Sequence, residues 1–200
     1  IDLNNDGKID RGDNNLNNMG DMTIIGNTTP RYQYTINGSI SWKDLSLSVM
    51  FQGVGKRDWD PGTAPYFWGS GAYAQVTVFN EHMDYWREDN KDAYYPKPYI
   101  HSAGGVGPFR NKIMQTSDRY LQSGAYCRLK NITLSYNLPS AWVKKAGMQK
   151  VQVFFSGENL LTFTSLKGMF DPEAIFTSNS YTGEGGKNYP MNKVVSFGLV

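Results

Sequence analysis

Residues 32–42, YQYTINGSISW, alternate without interruption: Tyr32, Tyr34, Ile36, Gly38, Ile40 and Trp42 fall on one side, and Gln33, Thr35, Asn37, Ser39 and Ser41 on the other. A period of two is that of a strand with one apolar and one polar face. Only Lys43 and Asp44 intervene before Leu45, Leu47, Val49 and Phe51 oppose Ser46, Ser48, Met50 and Gln52, so residues 32–54 are expected to form a hairpin. The pattern vanishes across residues 55–124, a stretch rich in Gly, Pro, Tyr and Trp and far longer than ordinary connections. It returns over residues 125–163 as two strands. In the first, Ile132, Leu134, Tyr136 and Leu138 face away from Thr133, Ser135 and Asn137 until Pro139 ends it. In the second, Val151, Val153, Phe155, Leu161 and Phe163 are in phase, while Phe154 and Leu160 fall on the other face. Between them, residues 140–148 carry Trp142, Lys144 and Lys145 and are expected to make a helical turn closed by Gly147. A further irregular connection, 164–190, precedes a last strand within 191–200, where Val195, Phe197 and Leu199 oppose Ser196 and Gly198.

The connections therefore run long, short, long, short, long, which places every long one at the same end of the strands. A β-sandwich mixes loop lengths at its two ends. An outer-membrane barrel separates them, with long loops outside, short turns on the periplasmic side and aromatics at both rims of the lipid-facing row. Tyr32, Tyr34 and Trp42 sit at the two ends of the first apolar row, as such rims require. Five strands are too few to close even the smallest barrel, which takes about eight. Together with a start at Ile1 and no initiator Met, this makes the chain read as a piece of a longer protein.

Composition narrows the function classes. Charged residues are 19% of the 200, Lys and Arg number 20 against 18 Asp and Glu, and the basic residues are dispersed, so nucleic acid has no electrostatic footprint. No apolar run reaches the roughly 18 residues of a membrane helix. The lone Cys127 has no partner for an intrachain disulfide and reads as an inert small hydrophobe. Aromatics at 14% and 21 Gly favour strands and loops.

An ordered set of motifs carries a family resemblance: DLNNDGKID at 2–10, GNTTPRYQY at 26–34, FQGVG at 51–55, SD at 117–118, YCRLKNITLSYNLP at 126–139, SGENLLTFT at 156–164, GMFDPE at 168–173, YP at 189–190 and SFGL at 196–199. In this order they resemble the C-terminal part of the SusC/RagA-like, TonB-linked outer-membrane proteins of Gram-negative bacteria. Lys193 stands where that family more often has Arg, and the last strand lacks the family's terminal aromatic, which suggests an end just short of the natural one. The resemblance implies an all-β fold, the last strands of an about 22-stranded transmembrane barrel. The plug domain and the TonB-contacting segment would lie outside this chain. It also implies three extracellular loops, 1–31, 55–124 and 164–190, a SusD-like surface lipoprotein as partner, outer-membrane lipid around the wall, and TonB-driven import of oligosaccharides or peptides, with no catalytic residues.

Read directly from the residues, DLNNDGKIDRGD places oxygen ligands at Asp2, Asn4, Asp6, the Lys8 carbonyl, Asp10 and Asp13, with Gly7 at the turn, the spacing of an EF-hand-type calcium loop. Position twelve is Asp where the longer Glu is usual, and NNLNNMG afterwards is not helical. An empty polar loop of Asx turns is the competing reading. Bound calcium would stiffen a surface loop. The long connection holds Trp59, Tyr66, Phe67, Trp68, Tyr73, Tyr85, Trp86, Tyr94, Tyr95 and Tyr99, which suit internal packing first, then contact with a lipoprotein lid or a sugar ring. Trp59, Trp68 and Trp86 are the candidates for such contact. Asp171 and Glu173 flank Pro172 and read as a turn, His82 and His101 as surface histidines, and 104–107, GGVG, lacks the Lys and helix of a phosphate loop. The rival from another class is a secreted calcium-binding β-sandwich, a carbohydrate-binding module. A glycoside hydrolase lacks a positioned carboxylate pair.

Overall fold

The computed structural model describes residues 2–62, 65–68, 78–97, 116–166, 168–175 and 189–200. Five long strands form one antiparallel sheet: β1 (Arg31–Trp42), β2 (Leu45–Lys56), β5 (Tyr126–Asn137), β6 (Gln152–Thr164) and β7 (Val194–Leu199), in the order β1-β2-β5-β6-β7. Two short strands, β3 (Asp58–Trp59) and β4 (Gln122–Ser123), pair at the base of the long connection. The hairpin, the strand pair and the last strand thus lie where alternation places them. A 12-residue strand is about 40 Å long, and tilted by about 40° it spans about 30 Å, the thickness of a bilayer core.

Register keeps the two rows separate across the sheet. Ile36 pairs with Phe51, Ile40 with Leu47, Leu47 with Leu134, Leu134 with Phe155 and Phe155 with Phe197, so one face is apolar from edge to edge. On the other, Ser39 meets Ser48, Ser48 meets Thr133, Thr133 meets Ser156 and Ser156 meets Ser196. The polar row is laced by hydroxyls, Ser41 to Ser46 at 2.9 Å among them. The apolar row stays open: Ile40 is 67% exposed, Phe197 78% and Leu199 74%. A sandwich would bury this face under a second sheet, and the only other sheet among the described residues is β3–β4. So wide an apolar face is a contact surface, which disfavours the soluble sandwich.

Two irregularities explain what the period alone does not. The β2–β5–β6 ladder skips Lys130, a bulge that leaves Arg128 and Lys130 both projecting from the polar face. Opposite it, Asn159 takes φ 53° and Glu158 and Leu161 bracket a two-residue bulge, so Leu160 leaves the alternation and lies against Gly157. Phe154 sits on the polar face because its ring covers Gly198 on β7, where a Cβ would collide with it. Helix α2 (Ser140–Lys145) joins β5 to β6, and Gly147 at φ 72° closes it: the Met148 N–H reaches the Val143 carbonyl and the Gly147 N–H that of Lys144.

The buried core lies in the connections. Trp59, Phe67, Trp68, Tyr95, Tyr120, Leu166, Phe170 and Ile175 pack together, so the connection after β2 and the one after β6 share a single apolar centre at one end of the sheet.

Candidate functional site

The aromatic centre is built edge to face. Phe67, on the four-residue helix α1 (Pro65–Trp68), is fully buried with its ring T-shaped against Trp59, Trp68 and Tyr120. Such pairs add about 0.5 to 1.5 kcal/mol each beyond burial. Tyr94 and Tyr95 come from a tight turn in which Asp84 Oδ2 accepts the Tyr94 N–H and the Asp84 carbonyl accepts the Tyr95 N–H. Burial pushes both phenols above their ordinary range, in Tyr95 with help from the neighbouring Tyr94.

This corrects two expectations. Trp59 is 1% exposed and Trp68 4%, with the Trp68 indole N–H donated to the Gly62 carbonyl at 2.8 Å, so both are packing residues and face no lid or substrate. Trp86, at 41%, is the candidate of the three that remains accessible. His82 is also buried. Its Nδ1 accepts the Phe79 N–H at 2.9 Å, which leaves Nε2 to carry the proton and donate to the Phe67 carbonyl at 3.0 Å, a neutral imidazole tying a 3-10 turn (Asn80–Met83) to α1. Tyr73, Tyr99, His101 and residues 104–107 lie outside the described residues, as does the Tyr66 side chain.

A buried ion-pair cluster fastens the second connection to the sheet. Arg128 donates from Nε to Thr162 Oγ1 and from Nη2 to Asp171 Oδ1, both at 2.8 Å, and its Nη1 lies 3.2 Å from Glu173 Oε2. Lys130 Nζ pairs with the same Glu173 oxygen at 3.0 Å. Asp171 also accepts the N–H groups of Glu173 and Met191. Burial works to raise its pKa, but these two donors and the guanidinium outweigh it and hold the carboxyl below the usual range. The DPE run is thus a turn whose carboxylates are neutralised by cations, not an acid–base pair. The spacing showed the turn but not its partners, which lie 43 residues upstream. Two basic side chains on a strand otherwise lined with hydroxyls were the available signal.

In the acidic loop every predicted ligand is placed except that they do not converge. Asp2 Oδ2 accepts the Gly7 N–H at 2.9 Å, Asn4 Oδ1 that of Asp6, Asp6 Oδ1 that of Lys8 and Asp10 Oδ1 that of Gly12. Asp13 turns instead to Asn18, whose Nδ2 donates to its Oδ2 at 2.9 Å. Among the described residues no three carboxylate, His or Cys side chains gather closely enough to hold a metal. Asp21 is the hub that spacing missed. It accepts the N–H groups of Leu3, Asn4 and Asp10, and the Asp10 N–H foremost, then that of Leu3, draws its pKa down. Gly12 and Gly20, both at positive φ, bring the loop's two arms into backbone contact that a methyl group would break.

No family model matches the chain. TonB-dependent receptor P3 of Formosa agariphila is 32% identical over 186 residues, covering 90% of this chain and 17% of the relative. TonB-dependent receptor P26 of the same organism is 25% identical over 185 residues, 90% of this chain and 18% of the relative. Among solved structures, the RagAB peptide transporter aligns over 88% of this chain and 18% of its own, with TM-score 0.61 and 28% identity. The RagAB peptide importer in the closed-closed state gives 0.57 and 26% over the same shares. The chain thus spans under a fifth of the length of the relatives it matches. They are receptors and transporters, not enzymes, and they sit in the outer membrane as β-barrels. With its open apolar face and hydroxyl-lined polar face, the chain belongs to the TonB-dependent receptor family, as a section of the barrel wall.

Proposed function

We propose that the full protein imports nutrients, oligosaccharides or peptides, across the outer membrane as the channel subunit of a SusC/RagA-type complex, and that this chain forms five adjacent strands near the C-terminal end of its barrel. The observation that carries this is the apolar row that crosses the sheet from Ile40 through Leu47, Leu134 and Phe155 to Phe197, open at Ile40, Leu134 and Phe197, on strands long enough to span a bilayer core. Under this reading the polar row lines the lumen, and the long connections 1–31, 55–124 and 164–190 are extracellular. RagAB is named a peptide importer, which supports import and leaves peptides and glycans as the two substrate classes. A SusD-like lipoprotein is the expected lid, and TonB, acting through parts of the protein beyond this chain, the energy source. Trp86, exposed as Val78 and Met83 are, is the tryptophan among the described residues of the long loop that is open to a lid or substrate. Growth of a strain lacking the full receptor, on oligosaccharides or peptides as sole carbon source, tests this. Loss of growth restored by the intact gene is expected, and a full-length protein recovered in the soluble fraction would overturn the assignment.

The acidic loop supports a second, local reading, structural calcium. Its oxygens suit a hard cation, the Asx turn at Asp10 uses one of its two carboxylate oxygens, and Asp2 Oδ1 is buried with no hydrogen-bond partner. Asp2, Asn4, Asp6, the Lys8 carbonyl and Asp10 would have to draw together around the ion, giving up Asx-turn hydrogen bonds, and Asp13 would join on leaving Asn18. Calorimetry on the full receptor tests it: calcium heats that Asp6→Ala abolishes are expected, and heats unchanged by that substitution would refute it.

A further inference from the structure

The connection between β5 and β6 is more than a tight turn. Its six-residue helix α2 is fixed at its end by the Gly147 cap and inside by Val143, which is 2% exposed. With Val143 held inward, the rest of the turn is pushed out: Trp142 is 66% exposed and Met148 49%, and Lys144, Lys145 and Lys150 are all exposed. Residues 138–152 contain no Asp or Glu. A rigid, exposed turn with one indole, one thioether and three ammonium groups needs a partner that is anionic on its surface and apolar just beneath.

The register says where this turn lies. Trp42, Leu45, Tyr136, Val153 and Leu199 are paired in sequence across the sheet, Trp42 with Leu45, Leu45 with Tyr136, Tyr136 with Val153 and Val153 with Leu199, so they mark one level on the apolar face. Trp42 and Tyr136 at that level are the aromatic rim where hydrocarbon gives way to headgroups. Helix α2 begins at Ser140, a few residues past that rim. The neighbouring hairpin adds Lys43, whose Nζ sits 4.8 Å over the Trp42 ring, with Asp44 as the one acid of the two turns. Cations next to a membrane surface are drawn to anionic lipid, and Trp favours the interface.

We propose that the β5–β6 turn is a lipid anchor: Trp142 and Met148 enter the interface of the periplasmic leaflet, and Lys144, Lys145 and Lys150 bind the phosphates of anionic phospholipid headgroups. This rests on the outer-membrane barrel reading, which makes the short-turn end periplasmic. The anchor would fix the height of the wall in the bilayer at the end facing the energy source.

The test uses the full-length receptor in detergent, titrated with phosphatidylglycerol or phosphatidylcholine and read by native mass spectrometry. Changing Lys144, Lys145 and Lys150 together to Gln is expected to lower phosphatidylglycerol affinity by about tenfold or more and leave phosphatidylcholine unchanged. Changing them to Arg should preserve binding. Phosphatidylglycerol retention unaltered by the Gln variant overturns the proposal, and so does displacement of the lipid by millimolar inorganic phosphate, which would make free phosphate the ligand. Lysine-dependent capture of an acidic periplasmic protein without any lipid effect would overturn it too. Heat-modifiable gel migration, measured alongside, separates the two readings. A wild-type receptor without it refutes the barrel, whereas a heat-modifiable receptor with unaltered lipid retention refutes only the anchor.

Discussion

Replacing Arg128 by Met keeps the length and apolar stem of the side chain but removes the charge that fastens the second connection to the wall. Arg128 is 3% exposed, Asp171 8% and Glu173 11%, so the two carboxylates would be left in a desolvated site. Breaking a buried pair by removing one partner costs about 3 to 5 kcal/mol. The lower end applies, because Glu173 keeps Lys130 and Asp171 keeps two backbone donors. A loss of about 3 kcal/mol corresponds to roughly a hundredfold rise in local opening. Amide hydrogen exchange on the full receptor should show that rise in residues 166–175, while the barrel strands retain their protection. Arg87, paired with Asp89 at exposures of 44% and 78%, is the control, and Arg87→Ala should change protection by less than a factor of about three. The double variant Arg128→Met, Asp171→Asn should recover part of the loss, since no uncompensated carboxylate remains at position 171. Exchange in 166–175 unchanged by Arg128→Met, or a double variant whose loss equals the sum of the single losses, would refute the clamp.

Three further outcomes follow from the same geometry. Because Asp171 is held below its ordinary value, its contribution is complete above about pH 4 and is lost as pH falls through the folded value, so acid alone should raise exchange in 166–175. Gly198→Ala should displace the Phe154 ring and cost about 1 to 3 kcal/mol, read as a lower temperature for loss of heat-modifiable migration. Trp59→Ala should open the shared aromatic centre at a cost of about 3 to 5 kcal/mol and expose residues 58–68 to protease, whereas Trp86→Ala should leave protease resistance intact.

The strands were legible because alternation is a local rule that the sheet obeys at every step: the face assigned to Ile36, Leu47, Leu134 and Phe197 from the sequence is the face each occupies. Leu160 and Phe154 broke the rule for reasons that lie on other strands or in a bulge, which no period carries. The loop aromatics were visible as a population and not as individuals. Whether Trp59 or Trp86 is buried depends on contacts with Phe170 and Tyr120, distant in sequence and without any repeat. His82 looked like a surface residue for the same reason, its partners being two main-chain groups in an irregular stretch. Asx turns in the acidic loop follow from spacing, but Asp21 reaches back across 11 to 18 residues to its donors, a closure that the ligand pattern does not encode.

The central claim is that the apolar row of this sheet faces lipid and the polar row an aqueous lumen. Spin labels placed singly at Ile36, Asn37, Gly38, Ser39, Ile40 and Ser41 of the membrane-embedded full receptor, with Cys127 replaced by Ser, test it most directly through accessibility to oxygen and to a water-soluble nickel complex. The account predicts a period of two, with 36, 38 and 40 favouring oxygen and 37, 39 and 41 favouring nickel. Uniform accessibility along the strand, or the opposite phase, would contradict it.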